Sequence, residues 1–240
     1  MVSNSEQPVD RPDDRSGVEP VVAVFDFDRT LSTRDNVLPF LDAVVGRPAV
    51  ARTLLRSFPS LLRGRRNAIK ARLARLLTGR QEDQVRAVAE DFAADVIADH
   101  LRHDVTARAA WHRREGHEVV IVSASFSWYL EPVARHLGID AVLATDLEVA
   151  DGRLTGALAG PNVRRAEKVR RLDAWLGGSP ARVWAYGDSA GDRELLARVD
   201  EAIRVGREPI PEVPDEAPPA ASGPGRSGPD SESGTGHVAR

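Results

Sequence analysis

Short, unbroken apolar runs recur along this chain, each of strand length and each separated from the next by helical periodicity. The run at 21–26 opens just after Pro20, 118–123 reads Glu-Val-Val-Ile-Val-Ser, and 182–187 reads Arg-Val-Trp-Ala-Tyr-Gly. Weaker runs lie at Ala141–Thr145 and 202–205. A strand that is apolar at successive positions is buried on both faces, which is the property of a parallel sheet covered by helices on either side. Helical patterns at 128–137, 167–176 and 192–198 supply that cover. The segment 148–157 differs, because its residues alternate around Asp151-Gly152, the signal of a tight hairpin. The expected fold is therefore α/β, a Rossmann-like three-layer parallel sheet.

The interval between the first two strands is too long for one crossover helix. Leu54, Leu55, Phe58, Leu61 and Leu62, then Ile69, Leu73, Leu76 and Leu77, then Val85, Val88, Phe92 and Val96 recur at steps of three and four, with Pro39, Pro48, Pro59 and Gly79 as punctuation. This pattern predicts a helical cap over 35–110, inserted after the first strand and leaving 20–34 and 111–207 as the core domain. Residues 1–19 and 208–240 are rich in Pro, Gly, Ser and acids and poor in large apolar groups. They are expected to be disordered tails, because they cannot bury enough surface to offset chain entropy.

Cysteine is absent from the 240 residues, which excludes disulfides, thiolate metal sites and cysteine nucleophiles. The longest apolar run, Val21–Phe25, is far short of a membrane span. The polar, acidic start lacks the layout of a secretory signal, so a cytoplasmic protein is expected. A net charge of −3 conceals an uneven distribution: 47–80 holds nine Arg and Lys70 with no acid, between acidic ends.

Chemistry concentrates at the predicted strand ends. Asp26-Phe27-Asp28-Arg29-Thr30 closes the first strand and Gly187-Asp188-Ser189-Ala190-Gly191-Asp192 closes the fourth. Open parallel sheets bind ligands at those ends. Adjacent strands would bring Asp26, Asp28, Asp188 and Asp192 to one rim, and oxygen donors without His or Cys suit Mg²⁺. Ser123 is expected to end the second strand on the same rim, and Lys168 to open a helix after the loop 160–166. Taken singly, an Asp-x-Asp is often a turn, a Gly-Asp-Ser a loop, Ser123 a helix cap and Lys168 a solvated cation. Their joint order makes a shared site the better reading. No phosphate-binding Gly-x-x-x-x-Gly-Lys loop or His-Glu-x-x-His site is present. His100 and His103 read as surface residues, and His112 and His117 have no acidic partners at ligand spacing.

These four segments resemble the four motifs of the haloacid dehalogenase superfamily, in particular its phosphoserine-phosphatase-like branch, across most of 21–207. The inserted cap and the hairpin before the lysine loop fit that branch. The resemblance implies Asp26 as the nucleophile that forms an aspartyl-phosphate, and Asp28 as the acid for the leaving alcohol and then the base for water. It implies Mg²⁺ held by the carboxylates of Asp26 and Asp188 and the backbone carbonyl of Asp28, with Asp192 orienting the metal's surroundings. Ser123 and Lys168 would bind phosphoryl oxygens, and Thr30 would support the loop through its hydroxyl and backbone. A Mg²⁺-dependent phosphomonoesterase acting on a small phosphorylated metabolite is the expected function.

Two alternatives stand beside it: a phosphotransferase of the same fold, and a non-enzymatic protein that binds a partner through the Arg-rich cap. The candidates for substrate selection are Asp35, Lys70 and Arg72. Asp35 lies where phosphoserine phosphatases carry an acid for the substrate's amine, but Ala71 stands about where they carry a carboxylate-binding Arg, so phosphoserine is not the favoured substrate. Contact of 47–80 with nucleic acid or an anionic membrane is weighed below a solvated helix face.

Overall fold

The computed structural model describes residues 20–62, 66–179 and 181–211. The tail expected at 1–19, the part beyond 211 of the tail expected at 208–240, and the side chains of 58–66 lie outside the described residues.

The sheet is built from β1 (Val21–Phe25), β2 (Glu118–Phe126), β3 (Ala141–Thr145), β6 (Arg182–Gly187) and β7 (Glu201–Arg204). All pair in parallel, in the order β3-β2-β1-β6-β7. Alternation along β1 divides the core in two. Ala23 and Phe25 face one side with Val119, Ile121 and Tyr186, under α5 (His103–Arg114) and α6 (Ser127–Leu137). Val22 and Val24 face the other with Val120, Val122 and Ala185, under α7 (Ala166–Leu176) and the single turn α8 (Arg193–Leu196). The expected three-layer parallel sheet is what forms. The expected hairpin forms as β4 (Leu147–Ala150) and β5 (Arg153–Leu158), with Asp151 and Gly152 both at positive φ in the turn.

The cap consists of α1 (Val37–Val45), α2 (Arg47–Leu62), α3 (Arg66–Ala74), a 3₁₀ turn at Arg75–Leu77 and α4 (Glu82–Asp99). Its apolar stripe merges with the upper core. Phe40 and Phe92 of the cap meet Tyr129 of α6, with ring centroids 5.0 and 5.3 Å away, so aromatic packing seats the cap on the core. The hairpin adds a second tie: Gly79 N donates to Leu154 O and Leu154 N donates to Arg80 O. Leu55, expected in the stripe, is 77% exposed instead. No helix among the described residues is long and apolar enough to cross a membrane.

Two expected boundaries move. The chain leaves and re-enters the core where Ser32 and Leu101 pair antiparallel, with Arg102 N donating to Leu31 O. From there α5 runs through residue 110 and buries Val105, Arg108, Ala109 and His112 against the sheet, so we draw the end of the cap at Leu101 rather than at 110. At the other end, the tail expected from 208 is held to Ile210. Arg102 Nη1 donates to Gly206 O, Asp104 Oδ2 accepts from Ile210 N, and Ile210 is buried. His112, which has no acidic partner at ligand spacing, is held by aromatic and hydroxyl groups instead. It is wholly buried, with Nδ1 2.8 Å from His117 Nδ1 and Nε2 2.9 Å from the Tyr186 hydroxyl, and burial drags its pKa down to about 3.

Candidate active site

Strand order reverses between β1 and β6: β2 and β3 follow outward on one side of β1, and β6 and β7 on the other. A crevice opens at their carboxyl ends. Asp26 leaves β1 there, its N–H donating to Tyr186 O of β6 at 2.9 Å. The next residues, Phe27–Leu31, form a tight loop in which Ser32 N reaches back to Phe27 O and Arg29 takes φ +59°. That loop turns Asp28 back over the crevice. Across it, Asp188 follows β6, and Asp192 folds so close beneath Gly187 that a Cβ there would lie 2.7 Å from the Asp192 Cβ; only glycine fits.

Lys168, at the start of α7 and 2% exposed, sits at the centre. Its Nζ is 2.6 Å from Asp26 Oδ1 and also donates to Asp192 Oδ1. Asp192 Oδ2 accepts from Ser189 N and Oγ, so both its oxygens are engaged. Burial alone would pull the ammonium down, but Asp26 and Asp192 outweigh it and hold Lys168 above its ordinary pKa. Asp26 moves up to about 7, driven by burial against the pull of Lys168, with the charge on Asp192 adding to the rise. Asp188, half-buried, is raised first by lost hydration and then by Asp192.

One oxygen from each of Asp26, Asp188 and Asp192 falls within 4.8 Å of the others. Three carboxylates facing one ammonium leave uncompensated negative charge, and hard oxygen donors at that spacing fit a divalent cation such as Mg²⁺. Asp28 contributes no carboxylate to this group. Its Oδ1 accepts from Asn36 N and Nδ2, both at 2.9 Å, and its Oδ2 accepts from Ser125 Oγ at 2.6 Å. Burial still raises its pKa.

Ser123 is buried and lines the cavity, but it does not end its strand. β2 continues to Phe126 through an irregular register between Ser123 and Phe126, which brings Ser125 to Asp28. Thr30 is fully buried, and its hydroxyl has no hydrogen-bond partner among the described residues, so the hydroxyl support expected of it is absent. Asp35 lies on the cavity rim, ion-paired with Arg29. The two cap cations separate. Lys70 is buried, its Nζ contacting Ala124 O and lying 4.4 Å from the centroid of Phe126, whereas Arg72 is exposed; neither is among the residues that line the cavity, though Ala124 is. Ser125, Asn36, Arg29 and Arg164 also belong to the site or its lining. Arg29 stands inside the first motif, Arg164 inside the loop 160–166 and Ser125 two positions beyond Ser123, whereas Asn36 carried no signal in the sequence.

The cavity these residues enclose holds about 340 Å³, the scale of a small ligand. A larger open groove of about 1010 Å³ adjoins it and shares Arg29 and Asp188, but carries no comparable cluster of acids and a buried amine.

A doubly wound sheet with clustered carboxylates and a buried lysine at its switch point is laid out as an active site. Residues 23–197 match the family described as haloacid dehalogenase-like hydrolase. The chain is 38% identical to Protein CicA of Caulobacter vibrioides over 77% of its own length and 86% of that protein. It is 29% identical to a probable phosphatase of Mycobacterium tuberculosis, over 75% and 67% of the two chains. A solved structure of a phospho-aspartyl intermediate analogue of phosphoserine phosphatase superposes with a TM-score of 0.56 at 19% identity, covering 78% of this chain and 87% of that one. The chain belongs to the haloacid dehalogenase-like hydrolases.

Proposed function

We propose that this protein is a Mg²⁺-dependent phosphomonoesterase that works through an aspartyl-phosphate on Asp26 and acts on a small phosphorylated metabolite. The observation that carries this reading is the Lys168 ammonium, 2.6 Å from Asp26 Oδ1, inside a cluster of three carboxylates. Asp26 attacks phosphorus while Lys168 holds its second role, offsetting charge on the equatorial oxygens together with Ser123. Asp28 protonates the departing alcohol, then removes a proton from the water that cleaves the acyl-phosphate. Asp26, Asp188 and the Asp28 backbone carbonyl would hold the cation, which when bound supplies the positive charge that lets a phosphate dianion approach a carboxylate. Asp192, bound by Lys168 and Ser189, orients the ammonium and the neighbouring acids.

The Arg29 pairing of Asp35 offsets the charge that an amine-bearing substrate would need, and this agrees with setting phosphoserine below other phosphomonoesters. Asp28 serves a second alcohol as well as water, so phosphotransfer stays as the alternative activity. The full set of acids and the buried amine argues against a purely partner-binding role for the chain.

The direct test is phosphate release from a panel of phosphorylated metabolites. We expect release from at least one compound with Mg²⁺ and none with excess EDTA, restored by added Mg²⁺. Release that persists in EDTA would rule out the metal requirement, and no release from any compound with Mg²⁺ present would rule out the activity.

The cap offers a sharper comparison. Lys70 is desolvated beside Ala124, which lines the cavity, and burial lowers its pKa to about 7 against the pull of Asp28. A shielded charge contact contributes about 1.5–3 kcal/mol and a solvated one almost nothing. Lys70→Met is therefore expected to raise KM for anionic substrates roughly tenfold or more, while Arg72→Met leaves it within about twofold. Equal effects in steady-state assays would remove Lys70 from substrate selection.

A further inference from the structure

The carboxyl of Asp28 is held by three donors that are not chemically equivalent. Two belong to Asn36, which is wholly buried just before α1, and both point at Oδ1. The backbone N–H can only donate. The side-chain amide is fixed in the same sense, because its Nδ2 also donates to Arg34 O at 3.0 Å, an atom that can only accept, while its Oδ1 accepts from Arg34 Nε at 3.3 Å. Oδ1 of Asp28 therefore faces two permanent donors and has no room for a proton of its own. Oδ2 faces a hydroxyl, Ser125 Oγ, at a distance usual for a bond to an ionised oxygen. A hydroxyl can donate or accept by rotating, so it tolerates both protonation states of its partner.

We propose that Asn36 and Ser125 are positioning residues that divide the two oxygens of Asp28: Asn36 keeps Oδ1 as an acceptor, and Oδ2, against the Ser125 hydroxyl, is the oxygen that gives and takes the proton. The assignment rests on the reading of Asp28 as the acid and base. In the first half-reaction Asp26 forms a bond to phosphorus, the bond from phosphorus to the alcohol oxygen breaks, and the Oδ2 proton passes to that oxygen. In the second, water gives a proton to Oδ2 as its oxygen bonds to phosphorus and the Asp26–phosphorus bond breaks. Throughout, Ser125 keeps Oδ2 from rotating out of line. The hydroxyl is itself placed by the irregular stretch of β2, where Ser125 N donates to Ser123 Oγ at 3.2 Å, so the phosphoryl-binding serine and the serine that orients the acid are braced on one another.

The test compares kcat/KM for ethyl phosphate, whose alcohol needs a proton to leave, with that for p-nitrophenyl phosphate, whose phenolate does not. The full chain is assayed with Mg²⁺. Because kcat/KM reports steps only through loss of the alcohol, hydrolysis of the acyl-phosphate does not mask the effect. Ser125→Ala, which removes only the hydroxyl, and Ser125→Gly as a second variant are expected to lower the ethyl-to-aryl ratio at least about tenfold, in the direction set by Asp28→Asn. Ser125→Thr, which restores a hydroxyl, is expected to return the ratio to within about threefold of the wild type. An unchanged ratio in Ser125→Ala and Ser125→Gly, while Asp28→Asn still lowers it, would overturn the assignment. So would an equal loss on both substrates with no rescue by threonine, the signature of a merely structural serine. If Asp28→Asn itself leaves the ratio unchanged, the acid and base reading fails and the assignment falls with it.

Discussion

Asp26→Asn is expected to lower phosphate release by roughly a thousandfold or more, since an amide in place of the nucleophile cannot form the acyl-phosphate at a useful rate. The substitution keeps the side chain's size at a site only 6% exposed. It also removes a carboxylate that burial already disfavours in its charged form. Lys168 retains Asp192 as a partner, so the variant should fold and melt within a few degrees of the parent. Single-turnover phosphate release, measured beside a melting curve, separates lost chemistry from lost structure. A folded variant that keeps more than about a tenth of the parental rate would show that the nucleophile is elsewhere.

Lys168→Met should give the largest change in stability. Lys168, Asp26 and Asp192 are all at least nine-tenths buried, so little solvent screening discounts their pairing. Removing one member of a buried ionic group costs about 3–5 kcal/mol because the remaining charges are left uncompensated. In a chain of this size that corresponds to a fall in melting temperature on the order of 10 °C. The effect carries a sign in pH. Without the ammonium, Asp26 faces the charge of Asp192 in a dry site, and its folded pKa, already raised by burial, moves further above the value near 4 of an unfolded carboxylate. A carboxyl raised in the folded state contributes its stability below the unfolded pKa and loses it as pH climbs toward the folded value. The deficit against the parent should therefore be largest near pH 8 and shrink toward pH 5, with EDTA present so that no cation replaces the lost charge. A deficit that is flat across this range would mean that the acids are not the groups Lys168 compensates. Turnover should fall as well, because Lys168 also meets the phosphoryl oxygens in the proposed mechanism.

The order of elements was legible because burial on two faces writes itself into a strand as consecutive apolar residues. Val21–Phe25 and Arg182–Gly187 needed no tertiary knowledge to be read as strands, nor did Asp151-Gly152 to be read as a turn. The acids at the ends of β1 and β6 could be placed on one rim for the same reason: parallel strands in one sheet end on one side. The boundaries were less legible. The helical period runs on through α5 without a break in chemistry, and only the pairing of Ser32 with Leu101 shows that this helix covers the sheet and is not part of the cap.

Lys70 and Arg72 illustrate what periodicity leaves open. They are two residues apart in a cationic segment, yet one ammonium is buried beside the site and the other cation is in water. A helix turns about 100° per residue, so the decision rests on the rotation at which α3 docks. Thr30 and His112 are of the same kind. A motif position or a lone histidine does not announce whether its polar atoms find partners; the packing of α5 against Tyr186 and the turn of the loop after β1 decide it. Ser125 and Asp28 lie 97 positions apart, and Lys168 and Asp26 lie 142 apart. The sequence by itself determined the sheet, the inserted cap and the residue types available for phosphoryl chemistry, because those follow from local pattern and chain order. How the two oxygens of Asp28 are held, which cap cation is buried and what holds each acid were decided only by the tertiary structure, because hydrogen bonds of this range depend on the register of distant strands and the docking angle of helices, and neither is written in any local stretch of the chain.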